Sequence, residues 1–367
     1  MSEEENLEEN SNNTLNIGKG SSEQFSNLDK YIKEKNPKYV SIFTHKYPDP
    51  DAIASMMSLQ WVLKNKYNCD SSCYFDGEIS HPQNIAMVNL LEPNIKPISE
   101  LSRNENKHDL SFLVDTNEKN IGNGDFNFEI NVVIDHHRLT YENSDIFVNI
   151  KSGSCSSTIY KMIKDFNLNF DINNENDISI ITALLIGVNT DTDNMMSDET
   201  TKYDFETYSE LFEYADKNSL KKIVDFERPK SWVNLKARSS TDAKINDGIS
   251  IVGMGVISPK NRDVIADMSS EMIRWEEVHT SIAFALVDGK EIEGSVRSTN
   301  ASIPIPKLCS SFGGKYGHGG GKLGKGGYKY SIGGASLDEE ENDDLKQDFW
   351  QVLKEKEERR LFKILTD

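Results

Sequence analysis

No stretch of this sequence approaches the ~20 consecutive apolar residues that a membrane helix requires, so no transmembrane helix is expected. The opening "MSEEENLEENSNN" has neither the basic start nor the apolar core of a secretory signal. Both absences point to a soluble, cytoplasmic protein. Cysteine is scarce: Cys69, Cys73, Cys155 and Cys309 form no C-x-x-C pair, which argues for reduced structural thiols over disulfides or a zinc site. Positive charge is scarce too. Lys and Arg total 41 against 60 Asp and Glu, for a formal net charge of −19. Wrapping long duplex nucleic acid depends on neutralising phosphates, so this balance excludes it. Short oligonucleotides and nucleotides stay open, provided metal ions or a local basic patch supply the missing charge. Much of the acid lies in end blocks, "EEENLEE" and "DEEENDD" (338–344), which read as solvated segments. There is no internal repeat.

What is present is enough chain for two domains: 367 residues against a prior of ~150 each. Residues 1–25 read as a disordered acidic tail. From there, β-branched runs alternate with helical patterns. "KYVSIF" (38–43) is a short buried strand, and "DAIASMMSLQWVLKNKY" is a helix with a broad apolar face. "SCYFDG", "LSFLVD" and "INVVID" are further strands, and "PQNIAMVNLL" (82–91) is helical. The alternation predicts an α/β domain over 26–215 with a largely parallel sheet and helices on both faces. A polar, partly helical linker is expected over 216–245. A smaller α+β domain follows over 246–335, beginning with the strand "GISIVGMGVI" and including strands on either side of a turn at Asp288-Gly289. The last segment, 336–367, is acidic and then helical. Its apolar residues, from Leu345 to Leu365, would pack on this chain or dock a second copy.

The chemistry lies in four places where charge follows an apolar element. "THKYPDPDAIAS" carries His45, Asp49 and Asp51. "FLVDTNE" carries Asp115. "VVIDHHR" carries Asp135, His136 and His137. "GVNTDTDN" carries Asp191 and Asp193. In open parallel sheets ligands bind at the carboxyl ends of strands. The four ends would therefore bring His45, Asp49, Asp51, Asp115, His136 and Asp191 to one crevice. Carboxylates gathered without counter-charge repel one another, and divalent cations resolve this. Mixed carboxylate and imidazole donors suit Mn²⁺, Fe²⁺, Co²⁺ or Zn²⁺ better than Ca²⁺. Six donors exceed what one ion with open positions needs, and fit two ions about 4 Å apart. Taken singly the pieces are less specific: Asp51 would serve equally as a helix cap, and Asp193 reads as a loop aspartate. In "FDGEISHPQN", His81 and Asn84 either line a substrate cleft or begin a helix.

The order H-x-x-x-D-x-D, V-D, D-H-H and T-D-T-D resembles the DHH phosphoesterase superfamily, and the resemblance extends over about residues 38–335. It implies two divalent ions, commonly Mn²⁺. His45 and Asp49 would be ligands of the first ion, Asp51, His136 and Asp191 of the second, with Asp115 between them. His137 would contact the substrate phosphate, and Asp135 would orient the neighbouring imidazoles. In the second domain "SVRS" resembles the family's Arg-Ser phosphate contact, here Arg297 and Ser298. "FGGKYGHGGGKLGKGG" (312–327) resembles the G-G-G-H loop of the DHH-associated domain, with Gly317 and His318 at the matching positions. It departs from that pattern at Lys315 and Tyr316 and after Gly319. Nine glycines between 313 and 327 point to backbone that must approach a ligand closely. The stretch is not a P-loop, because Gly326 follows Lys325 where Ser or Thr is required.

The resemblance implies an active site in an interdomain cleft. The activity would be hydrolysis of short single-stranded RNA or DNA, dinucleotides and 3′-phosphoadenosine 5′-phosphate (pAp) to mononucleotides, as in the oligoribonuclease/pAp-phosphatase branch. Homodimers would be in keeping with the family. A cyclic di-AMP or pApA phosphodiesterase, and a non-catalytic nucleotide sensor on the same fold, are the alternatives. A pyrophosphatase shares the first domain's motifs without the glycine loop.

Overall fold

The computed structural model describes residues 20–101, 108–116, 129–137, 144–333, 337 and 343–366. The acidic start and most of "DEEENDD" lie outside the described residues. The chain divides into two compact units, Met1–Glu227 and Arg228–Asp367.

The first unit contains α1 (Ser21–Lys35), β1 (Tyr39–Phe43), α2 (Pro50–Tyr67), β2 (Asp70–Phe75), α3 (Pro82–Leu91), β3 (Ile95–Pro97), β4 (Leu110–Val114), β5 (Val132–Ile134) and β6 (Ile146–Val148). It continues with α4 (Cys155–Asp165), α5 (Glu175–Asp191), α6 (Lys202–Leu211) and α7 (Lys217–Val224). The six strands are all parallel, in the order β3-β2-β1-β4-β5-β6. The winding direction reverses between β1 and β4, which opens a crevice at the carboxyl ends of those two strands. Both faces of the sheet are covered, which is why the strands read as unbroken apolar runs. Val40, Ile42, Phe112, Val114, Val132 and Ile134 join one core, and Phe43, Tyr74, Leu113, Val133 and Phe147 the other.

Two sequence expectations change here. Helix α1 starts inside the expected tail, because Phe25, Leu28 and Ile32 recur at helical spacing and are buried. Helix α2 is capped by Asp49, not Asp51: the Asp49 side chain accepts from the Ala52 N–H at 3.0 Å, with Pro50 in the first turn. Asp51 is thereby free of capping duty, although it is fully buried.

The second unit contains α8 (Lys230–Asp242), β7 (Lys244–Asn246), β8 (Ile249–Ile257), α9 (Val264–Met272), β9 (Thr280–Val287), β10 (Glu291–Ser298), α10 (Ile305–Gly313), β11 (Gly317–Lys322), β12 (Lys325–Ser331) and α11 (Asp343–Thr366). The segment expected as a linker thus holds α7 in one unit and α8 in the other. The sheet order is β11-β12-β10-β9-β8-β7, parallel only between β8 and β9. Helix α9 packs with Trp232 of α8 on one face, over Val252, Ala283 and Ala285. Helix α10 packs on the other face, together with Trp350 and Leu361 of α11. The last helix therefore packs on its own chain. The buried Glu357 accepts from Tyr328 and Tyr330 of β12 and from Arg360, fixing α11 to the hairpin's back.

The glycine-rich stretch is this β11–β12 hairpin, not a loop, turning at Gly324 with φ +75°. Four of its glycines serve packing. A side chain at Gly319 would meet the Cys309 carbonyl of α10. One at Gly326 would meet Ile305 and Cys309, and ones at Gly317 and Gly321 would meet the β12 backbone. Within the stretch, Gly314 and Gly320 have nothing within reach. The density of glycine thus reflects helix-on-strand packing more than ligand approach.

Candidate metal centre

The crevice of the first unit is built from the ends of β1, β4 and β5 and the near ends of α2, α4 and α5. His45 follows β1, and its Nδ1 lies 2.9 Å from the Lys46 carbonyl, which leaves Nε2 facing inward. That nitrogen is 3.9 Å from Asp49 Oδ1 and 3.9 Å from Asp115 Oδ2. The loop carrying them is held by Asn84 of α3, which donates to the Pro48 carbonyl at 2.9 Å. His81 caps the same helix through its Nδ1. Asn84 thus braces the loop between His45 and Asp49, while His81 begins the helix.

Asp115 follows β4 with φ +55°, a sparsely occupied conformation that aspartate tolerates and that marks sites where geometry is imposed. Its Oδ1 lies 3.4 Å from His136 Nε2 and 4.0 Å from His137 Nδ1. His136 Nε2 also lies 3.1 Å from Asp191 Oδ2 and 4.0 Å from Asp51 Oδ2. Asp191 is the last residue of α5, so the fourth motif sits on a helix end; Asp193, beyond it, is exposed.

All six expected ligand residues are therefore brought together, in two neighbouring groups, His45, Asp49 and Asp115, and Asp51, His136 and Asp191, and a third group of Asp115, Asp135, His136 and His137 has a member in each. Asp115 stands between them. Most of the separations are too long for hydrogen bonds, whereas cis ligands around one small cation sit about 3 Å apart. Among the described residues, the buried Asp115 Oδ1 and His136 Nε2 have no hydrogen-bond partner. Uncompensated carboxylates at about 4 Å repel by about 4 kcal/mol even at an effective dielectric of ~20. The donor set and its orphaned buried atoms fit divalent cations.

Proton affinities reflect the same need for positive charge. Burial, then the neighbouring Asp191, push Asp51 up to about 6. Burial, then Asp51, hold Asp115 well above the ordinary carboxylate range. Burial disfavours a charged His136, but the adjacent carboxylates of Asp115 and Asp191 outweigh this and raise it well above the usual value.

Asp135 is wholly buried, and its Oδ1 accepts from the His136 and His137 backbone N–H groups at 2.7 and 3.1 Å. It also lies 2.8 Å from His137 Nδ1. Its side chain thus orients the His137 ring; the His136 ring is set by Asp115 and Asp191 instead. His137 is the more open of the pair, with 43% of its side chain accessible against 2% for His136.

Sequence reasoning passed over the support on the far side. Asp51 accepts from the Cys155 and Ser156 N–H groups at 2.7 and 2.9 Å, the first free donors of α4. The helix is capped by Ser154, and the buried Asp204 binds Gly153 N, Ser154 Oγ and Ser157 Oγ. Gly187 of α5 lets the helices approach, since a side chain there would meet Ser156 Oγ and come within 2.9 Å of Asp51 Oδ1. The run "GSCSS" before a helix is a legible capping signal that had not been connected to Asp51.

In the second unit, Arg297 lies on β10, donating to Ser295 Oγ and the Val296 carbonyl, and Ser298 ends the strand. Ser298 is buried and bonded to Thr280 Oγ1 and the His279 carbonyl, which commits its hydroxyl to the strand end rather than to a substrate. Gly317 begins β11, packed against β12, and His318 follows with its side chain exposed.

Comparison with known proteins agrees with the first unit's architecture. Residues 39–188 match the DHH family, N-terminal domain. An uncharacterized protein of Methanocaldococcus jannaschii is 28% identical over 295 residues, 79% of this chain and 58% of its own length. A probable manganese-dependent inorganic pyrophosphatase of Staphylococcus epidermidis is 33% identical over 128 residues, 34% of this chain and 40% of that protein. The chain thus spans little more than half of the longer match. The crystal structure of an exopolyphosphatase-related protein from Bacteroides fragilis superposes with a TM-score of 0.65 at 15% identity, covering 92% of this chain and 97% of that one, a likeness of fold.

Proposed function

We propose that this chain is a two-metal phosphodiesterase that hydrolyses short oligonucleotides, dinucleotides and pAp to mononucleotides. The observation that carries the reading is the pair of neighbouring ligand groups, joined by the approach of Asp115 to both His45 and His136 at the switch point of the sheet. Manganese is the ion of choice, as the name of the Staphylococcus relative states for that protein. Two divalent ions, when bound, would supply positive charge and a water acidified towards neutrality.

His45 and Asp49 would hold one ion, Asp51, His136 and Asp191 the other, and Asp115 both. Asp135 holds His137 through Nδ1, which leaves Nε2 as the ring nitrogen that would contact the substrate phosphate. In the second unit, taken as the DHH-associated domain, Arg297 would bind phosphate with its planar fork and His318 the terminal nucleotide. Ser298 contributes by shaping the strand end beside Arg297.

A turnover panel in Mn²⁺ tests the reading: a short 5′-phosphorylated RNA, pApA, pAp, cyclic di-AMP and pyrophosphate. The dinucleotide and short RNA should be cleaved fastest. Asp115→Ala should lower turnover by more than about 100-fold, the upper range for losing even an outer metal partner, with the fold intact. Turnover of pyrophosphate alone, or a fully active variant, contradicts the reading.

A further inference from the structure

The sheet of the second unit has one face only partly covered. On the back, α10 and α11 pack against Gly319, Gly326, Tyr328 and Tyr330. On the front, α8 and α9 cover β8 and β9. Helix α9 also reaches β10, while the front of β12 and β11 packs against no helix of this unit among the described residues. Strand alternation and register define what it displays. One cross-strand row is Glu293, Lys329 and His318. The next is Ser295, Gly327 and Gly320. The third is Arg297, Lys325 and Lys322.

An uncovered face normally signals an apolar docking surface, but this one is bare backbone between two charged rows. At the first row a cavity of about 360 Å³ opens against the start of α9, lined by Ile265, Ala266, Glu293, Gly320, Gly327 and His318 among others. Arg262 donates to Glu293 from Nε at 3.2 Å and Nη2 at 2.8 Å, both to the same oxygen, Oε2. The other carboxylate oxygen, Oε1, therefore remains an acceptor at the cavity. The three-cation row lies two residues further along each strand, about 7 Å from the glycine row and about 13 Å from Glu293. That is the reach of a nucleotide from base edge to phosphate.

We propose that this face seats one nucleoside 5′-phosphate with its base in the cavity and its phosphate on Arg297, Lys325 and Lys322. Glu293 is the specificity-determining residue: its Oε1 accepts from an exocyclic amine, so amino-bearing bases are selected over uracil and hypoxanthine. The base lies flat on Gly320 and Gly327 against the apolar wall of α9, and Arg262 holds the Glu293 carboxylate in place. The inference rests on the nucleotide reading above and names the substrate class it selects.

Calorimetric titration of the full chain in chelator, where nothing turns over, tests it with AMP against IMP and CMP against UMP. A site built around one acceptor penalises a partner lacking the donor, so the amino-bearing member should bind about ten-fold tighter or better. Glu293→Ala should bring each pair to near equality, and Glu293→Gln, which keeps an oxygen acceptor, should retain part of the preference. Lys325→Ala should weaken AMP and IMP equally. Equal wild-type binding within each pair, no nucleotide binding, or a preference that survives Glu293→Ala overturns the inference. The dinucleotide assay in Mn²⁺ separates the two readings. Cleavage without base preference contradicts the role of Glu293 and leaves the activity standing. A Glu293-dependent preference without cleavage contradicts the activity and leaves the nucleotide site standing.

Discussion

Asp51 is the residue at which the site's electrostatics are most readily measured. It accepts two α4 N–H groups, which favour its charge, yet burial and Asp191 win and its pKa rises to about 6. The folded state then binds more protons than the unfolded chain, whose aspartates titrate near 3.9. The sign follows: stability contributed by this group is present below pH about 4 and is lost as pH rises through about 6, on the order of 3 kcal/mol in all. In chelator, the melting temperature of the wild type should therefore fall with pH across that window relative to Asp51→Asn, which cannot titrate. Parallel curves for the two proteins would show that Asp51 is not held protonated. Much of this was legible in the residues themselves, since carboxylates and histidines at the ends of apolar runs cost desolvation unless they meet at a cation. The role of Ser298 was not. A serine in "SVRS" reads the same whether its hydroxyl faces a ligand or, as here, caps its own strand end. Asp49 and Asp51 likewise compete for one cap in the sequence, and only the helix start at Pro50 decides between them.

At the scale of elements, the metal crevice depends on how closely α5 can approach α4. Gly187 sits in the middle of α5, where alanine would favour the helix by up to about 1 kcal/mol. The methyl group would meet Ser156 Oγ and Asp51, and overpacking of this kind costs about 1–3 kcal/mol. Packing should win. Gly187→Ala is expected to lower the melting temperature and to weaken Mn²⁺ binding, because the displaced contact includes Asp51. A variant that melts higher and binds Mn²⁺ normally would show that the approach is not tight. The glycines of β11 and β12 teach the complementary lesson. Glycine has no side chain to report which face it occupies, so a run of glycines reads as a mobile loop when it is a hairpin pressed against α10. Helix α1 was obscured differently: polar residues surround Phe25, Leu28 and Ile32, and the acidic context drew the segment into the tail.

For the molecule as a whole, alternation of apolar strands and helices was enough to anticipate a parallel sheet followed by a smaller mixed one, because burial on both faces leaves continuous apolar runs such as "LSFLV". The strand order was not legible, since short parallel strands carry no register signal. Yet that order sets the function proposed here: the reversal between β1 and β4 brings His45 and Asp115 side by side. The carboxylates gathered in this crevice would repel a phosphate substrate unless cations intervene. The most direct test counts them. Native mass spectrometry of the wild type and Asp115→Ala, titrated with Mn²⁺ alongside pApA turnover, should find two ions per wild-type chain with activity appearing as the second binds. The variant should hold at most one and be inactive. Full activity with a single ion, or two ions retained with activity in Asp115→Ala, would contradict the account.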